Sequence, residues 1–305
     1  MESITLGKSG VISPRLVYGC MRLAGDNSTA ARERGRQAIR AALDEGYTHF
    51  DHADIYGGGA CETLFAEVMA ERPGLRDRLL ITSKCGIRGR GKPNPDDPVR
   101  YDFSKSHILA SVDGSLGRLK TDYLDLLLLH RPDHLFRAEE VWAAFSALRA
   151  AGKVRHFGVS NFRPPQVSLL ASRCPFPLLV NQVEINIHNL DTLLDGTLDQ
   201  AQELGITPQA WCPLGGVAYP AWRNTFSQET EARIRAELDA QGRTYGAEPW
   251  IVMLAWLLRH PAKIVPIIGT TTSARIKAAK QALTLDYSRE DWYRLLEARN
   301  GHPVP

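Results

Sequence analysis

Leu124-Asp125-Leu126-Leu127-Leu128-Leu129 is a nearly unbroken apolar run that ends in His130-Arg131-Pro132. A strand with one wet face alternates apolar and polar residues, so continuous leucine marks a strand covered on both sides, as in parallel sheets packed under helices. Outward from this run, short apolar segments alternate with longer amphipathic ones through nearly the whole chain. Strands are expected at Arg15–Tyr18, Thr48–Asp51, Leu79–Ser83, Leu124–Leu128, Val154–Gly158, Leu178–Val183, Thr207–Trp211 and Ile264–Pro266. Helical patterns lie between them at Ala30–Glu45, Cys61–Glu71, Lys105–Leu119, Ala138–Ala151, Pro164–Ser172, Leu190–Leu204 and Thr272–Gln281. Each is long enough to carry the chain back across a parallel sheet. Eight such strands, with no G-x-G-x-x-G after the first, predict an α/β fold of the closed (β/α)8 TIM-barrel type over an open doubly wound sheet. An N-terminal hairpin near Ile4–Ile12, long loops at Cys85–Phe103 and Leu214–Glu229, and an extra C-terminal helix near Arg289–Arg299 complete the expectation. No linker or low-complexity segment divides the chain, and residues 1–305 read as a single domain.

Composition narrows the function classes. With 44% apolar and 23% charged residues the chain can build a large core, and disorder is not indicated. A net charge of +3 is too small for an electrostatic nucleic-acid footprint, and the local cluster Arg88, Arg90, Lys92, Arg100 and Lys105 carries no recognition motif. Five widely spaced cysteines, an odd number without C-x-x-C, argue against a disulfide framework or a zinc site and for a reducing compartment. No secretory-type start and no long apolar run is evident, so the expectation is a cytoplasmic protein acting on small molecules, without a membrane or nucleic-acid partner. A monomer is compatible with every motif, and nothing in the sequence sets an oligomeric state.

In a (β/α)8 barrel the reactive groups gather at the C-terminal ends of the strands. Here polar residues close three neighbouring strands: Asp51 after Thr48-His49-Phe50, Lys84 after Ile81-Thr82-Ser83, and His130 after the leucine run. Tyr56 follows Asp51 by one short loop whose glycines allow a tight turn. Any one of these is more often structural than functional, but the four types together suit carbonyl reduction. Hydride addition to C=O leaves an alkoxide that needs a proton. Tyr56 can donate it, Lys84 can make the phenol a better donor, Asp51 can hold Lys84, and His130 can orient the carbonyl oxygen.

At these residues the sequence resembles the aldo-keto reductase superfamily. Gly46-Tyr47-Thr48-His49-Phe50-Asp51-His52-Ala53-Asp54-Ile55-Tyr56-Gly57 is similar to its D-T-A-x-x-Y-G signature, and Ser83-Lys84-Cys85-Gly86, Asp122–Asp125 with His130-Arg131-Pro132, and Gly152–Phe162 follow in the family's order. The variants around His52–Gly58 and Ala210–Gly216 look like those of the bacterial YdhF-like branch. The resemblance implies a nicotinamide cofactor, NADPH ahead of NADH, with its carboxamide held by Ser160, Asn161 and Gln182 and its ring presented to Trp211, where tyrosine is commoner. It places Gly19, Met21, Asp51, Pro213, Leu214, Gly215 and Gly216 along the cofactor. Gly269, Thr270, Thr271 and Arg275 fall at the adenosine phosphate, with glycine at position 269 where many members have lysine and alanine at position 279 where an asparagine is usual. Arg275 is the guanidinium expected to meet a 2′-phosphate. Arg22, His52, Ile55 and Arg131 are assigned to the substrate. A nicotinamide-binding regulatory subunit of the channel β-subunit type and a phosphate-substrate isomerase stand as the alternatives.

Overall fold

A computed structural model describes residues 1–215 and 226–304. The chain opens with an antiparallel pair, β1 (Ser3–Thr5) and β2 (Ile12–Pro14), and then enters a barrel of eight parallel strands. These are β3 (Val17–Gly19), β4 (His49–Asp51), β5 (Leu80–Cys85), β8 (Leu124–Leu129), β9 (Val154–Ser160), β10 (Leu178–Glu184), β11 (Thr207–Trp211) and β12 (Val265–Ile268). They pair in chain order, and β12 closes the ring on β3 with Ile267 beside Val17 and Ile268 beside Tyr18. A two-stranded ribbon, β6 (Ile87–Arg88) with β7 (Arg100–Tyr101), lies within the long loop after β5.

The leucine run explains its own burial. Leu126 and Leu128 join Leu6, Leu179 and Val180 in one cluster, while Leu127 and Leu129 belong to the cluster that includes Phe145 and Phe157 under the helices. Successive side chains point to opposite faces of a strand, and here both faces are apolar. The N-terminal hairpin side of the barrel is tied by His49, whose ring nitrogens lie 2.7 Å from Ser13 Oγ and 2.7 Å from Thr82 Oγ1.

The outer helices are α1 (Thr29–Asp44), α2 (Ala60–Ala70), α3 (Lys105–Leu119), α4 (Ala138–Ala150), α5 (Pro164–Ala171), α6 (Asp191–Leu194), α7 (Thr197–Leu204), α8 (Gln228–Tyr245), α9 (Pro249–Leu258), α10 (Ser273–Ala278) and α11 (Arg289–Asn300). Three differences from the sequence reading have physical reasons. The helix expected over Leu190–Leu204 is broken at Gly196, whose φ of +83° is left-handed, so α6 and α7 are separate. The one expected over Thr272–Gln281 tightens into a 3-10 turn after Ala278. Helices α8 and α9 gave no readable signal: α9 is apolar all round, and α8 is polar with a narrow buried edge at Ile234, Leu238, Gln241 and Gly242, so neither shows a broad amphipathic stripe. The expected loop Leu214–Glu229 overlaps the start of α8, and its central part lies outside the described residues.

Candidate active site

Asp51 closes β4 in register with Thr82 of β5, and Lys84 of β5 stands beside Leu128 of β8, so three adjacent strands deliver the polar set to one end of the barrel. Lys84 is buried and donates from Nζ to Asp51 Oδ2 at 2.6 Å, to the His52 carbonyl at 2.8 Å and to Tyr56 Oη at 3.0 Å. The ring of Tyr56 meets that of His130 edge-on, 5.9 Å between centroids. Asp51 Oδ1 accepts from Gln182 Nε2 at 2.8 Å, which holds the carboxylate from the far side of the barrel.

Burial sets the protonation states. It pushes the Tyr56 phenol above its ordinary value; Lys84 works against this, without reversing it. The phenol therefore keeps its proton at neutral pH. Burial pulls the Lys84 ammonium down, but Asp51 and Tyr56 outweigh it and leave the group raised and charged. His130 is held well below the ordinary histidine range by burial, then by Lys84 and Arg131, so its ring is neutral; its Nδ1 is buried without a hydrogen-bond partner.

These groups open on a cavity of about 680 Å³. Gly19, Met21, Arg22, Asp51, Ile55, Tyr56, His130, Arg131, Ser160, Asn161, Gln182, Trp211, Pro213, Leu214, Gly269, Thr270 and Arg275 all line it. At one end the amides are already ordered. Asn161, at a left-handed φ of +62°, donates from Nδ2 to the His130 carbonyl at 3.1 Å and to Ser160 Oγ at 2.9 Å, and accepts from Trp211 Nε1 at 2.9 Å. Ser160 Oγ donates to the Gln182 carbonyl at 2.8 Å. Gln182 gives its amide hydrogens to Asp51 and, at 3.1 Å, to Gln209, so what it can offer a ligand is its carbonyl oxygen. The Arg131 guanidinium lies over the Trp211 ring at 5.5 Å.

Several expected positions move. His52 does not reach the cavity: it is fully buried, its ring packs at 4.7 Å on Phe65, and burial drives its imidazole down to about 3. The side chain after a strand-end Asp faces the helical layer, and only its carbonyl serves Lys84. Arg22, assigned to the substrate, lines the cavity and leans onto the loop of the neighbouring strand β12, with Nη1 3.4 Å from the Gly269 carbonyl, and its charge is felt at Cys212. A Cβ at position 269 would lie 2.9 Å from that Nη1, so glycine there makes room for the guanidinium. Thr271 and the buried Gly215 are not in the cavity wall, and Gly216 lies outside the described residues. Of the long loop after β5, only Ile87 lines the cavity, and the described part of the C-terminal tail does not. Sequence reading passed over Trp250 and Leu254 of α9, which line the cavity along with Ile268 and Arg275. Their signal was the unread helix itself.

The lining suits a dinucleotide. Arg22, beside Gly269, and Arg275 line the cavity, as do the Asn161 and Gln182 amides bonded to His130 and Asp51 and the Trp211 indole; among the lining residues the one carboxylate, Asp51, is neutralised by Lys84.

Comparison with known proteins gives a consistent picture. The sequence profile of the Aldo/keto reductase family matches residues 15–300. The chain is 43% identical to the oxidoreductase YdhF of Escherichia coli, with both chains covered in full. It is 40% identical to a 6-dehydroglucose reductase of Agrobacterium fabrum, again over the whole of both. The crystal structure of the thermostable aldo-keto reductase Tm1743 in complex with the inhibitor epalrestat superimposes with a TM-score of 0.83 at 28% identity, covering 98% of this chain and 100% of that one.

Proposed function

The chain belongs to the aldo/keto reductase family, and from that premise we propose that it is an NADPH-dependent reductase of aldehydes or ketones with Tyr56 as the proton donor. The observation that carries this reading is the chain Asp51–Lys84–Tyr56, joined at 2.6 and 3.0 Å, beside a neutral His130 in the floor of a dinucleotide-sized cavity. A bound nicotinamide supplies the hydride. The protein supplies the rest. Ser160, Asn161, Gln182 and Trp211 hold the reactive end, and Arg22 and Arg275 hold phosphate at the other, which favours NADPH and leaves NADH usable.

The substrate oxygen is met by His130 Nε2 and by Tyr56 Oη. Tyr56 gives up its proton as negative charge grows on that oxygen, and the Lys84 ammonium, held by Asp51, stabilises the phenolate that remains. Met21, Ile55 and Arg131 shape the mouth. A sugar aldehyde of the kind in the name of the 40% identical relative is the first substrate to try. A purely regulatory nicotinamide-binding role would not need a proton donor tied to a buried ion pair, so catalysis is the preferred reading.

The test is NADPH and NADH titration by fluorescence, followed by a carbonyl panel with wild type and Tyr56→Phe. Tyr56→Phe should bind NADPH as wild type does and lose turnover by about 10²–10⁴-fold. Wild type that oxidises no NADPH with any carbonyl, or Tyr56→Phe with unchanged kcat, would overturn the reading.

A further inference from the structure

Behind the cavity lies an ionic cluster that the proposed chemistry leaves unused. Glu62, fully buried in the first turn of α2, accepts from Ser83 Oγ at 2.7 Å on one oxygen and from Arg118 Nε at 2.7 Å on the other. Arg118, in the last turn of α3, also donates from Nη2 to Ser115 Oγ at 3.1 Å. Its side chain fills a slot between two glycines: a Cβ on Gly59 would sit 2.6 Å from Arg118 Cδ, and one on Gly114 would sit 3.0 Å from Nη1. Asp54 borders the cluster. Its backbone N–H donates to the Lys84 carbonyl at 3.1 Å, and its Oδ1 is buried without a hydrogen-bond partner.

The turn that presents Tyr56 is built of Gly57, Gly58 and Gly59, with φ of +58°, +63° and +94°. Such a turn has no side chains of its own to fix it, and glycine is the residue with most freedom to move. Arg118 lies on Gly59, three residues after Tyr56, and through Glu62 it is tied to Ser83, the residue before Lys84. The same arginine therefore links the two segments whose side chains meet at Tyr56 Oη and Lys84 Nζ.

We propose that Arg118 is a positioning residue for Tyr56: by neutralising Glu62 and lying against Gly59, it locks the glycine turn to β5 and sets the Oη–Nζ separation. The inference rests on the reductase reading above. The titratable groups facing Asp54 are Glu62 from α2, Arg118 from α3 and Cys85 from β5. Without the guanidinium two carboxyl groups confront each other beside the turn, and a buried unpaired carboxylate is a strong cause of displacement. Around Tyr56 itself stand Lys84, Asp51, Cys20 and His130. Of these, Lys84 is the one that draws the phenol towards ionisation, so a turn that drifts away from it raises the phenol further.

The experiment uses full-length Arg118→Met and Arg118→Lys beside wild type and Tyr56→Phe. It reads kcat per NADPH-binding site, the NADPH dissociation constant, and the phenolate absorbance titration of the protein alone, with Tyr56→Phe identifying the Tyr56 signal. Arg118→Met should lower kcat on the order of 10²-fold, as expected for an ångström-scale misplacement of a reacting group. It should leave NADPH affinity unchanged and move the Tyr56 titration upward. Arg118→Lys keeps the charge on Glu62 but loses the Ser115 bond, and should be intermediate in both readouts. Wild-type kcat per site with a wild-type Tyr56 titration overturns the proposal, as does a loss of activity that merely follows the loss of NADPH-binding sites. If Arg118→Met does not fold, Arg118→Lys decides by the same criteria. If wild type shows no turnover, the reductase reading fails, while the Tyr56 titration still reports on Arg118.

Discussion

Burial of charge is the dominant fact at the residue scale. Lys84 and Asp51 are both nearly inaccessible, and an ion pair in such a place is tolerated because each member satisfies the other. Lys84→Met strands the carboxylate and is expected to cost about 3–5 kcal/mol in denaturant unfolding; a loss under about 1 kcal/mol, the range of an exposed pair, would show that Asp51 is satisfied without it. His52 carries the opposite expectation. Since its ring packs on Phe65 away from the cavity, His52→Phe should leave the KM for a carbonyl unchanged, and a changed KM would return it to the pocket. Asp54 supplies a pH dependence. Burial, with Glu62 beside it, pushes its carboxyl up to about 7 from an ordinary 3.8, so between those values the folded state holds a proton that the unfolded chain has lost. The stability this contributes is present below the lower value and is lost as pH rises through the upper one. Asp54→Asn should flatten that slope in an unfolding series across the window, and an unchanged slope would show that Asp54 ionises normally.

Elements decide what each side chain faces. Asp51, Lys84 and His130 converge because β4, β5 and β8 are neighbours in a parallel barrel, and parallel pairing puts all their C-terminal ends at one mouth. The same geometry brings the segment after β3, carrying Arg22, against the segment after β12, carrying Gly269, since those strands close the ring. If Arg22 holds cofactor phosphate, Gly269→Ala, which obliges the exposed end of Arg22 to shift, should weaken NADPH by up to about tenfold, corresponding to about 1.4 kcal/mol. Arg22→Met should do the same, and the double variant no more, in fluorescence titration. Full additivity, or unchanged affinity in Gly269→Ala, would disconnect the two residues. Helix α9 makes a complementary point: Trp250 and Leu254 reach the cavity from a segment whose uniform apolarity hid its helical period.

For the molecule as a whole, the barrel separates stability from chemistry. Leu6 of the N-terminal hairpin packs with Leu126, Leu128, Leu179 and Val180 away from the cavity, so Leu6→Ala should cost about 2–5 kcal/mol while leaving NADPH affinity as it is. An altered affinity would mean that the two ends of the barrel are coupled. The sequence by itself located the eight strands, through the alternation of short apolar runs with amphipathic ones, and most plainly Leu124–Leu129, because a strand buried on both faces has no polar side to show. It also marked Asp51, Lys84 and His130, because polar groups that close such strands stand out against leucine and isoleucine, and Tyr56, because one short glycine-rich loop returns it to the same end. Tertiary structure alone decided where long side chains end. Arg22 and His52 each sit within a few residues of a strand end, yet one leans onto the neighbouring strand's loop at Gly269 and the other turns into the helical layer. It also decided that burial outweighs Lys84 at the Tyr56 phenol, and that Arg118 and Glu62, 56 residues apart in the chain, meet behind the tyrosine turn. Strand identity is local and periodic in the sequence, whereas the reach of an arginine and the desolvation of a phenol depend on which neighbours the closed barrel brings to them.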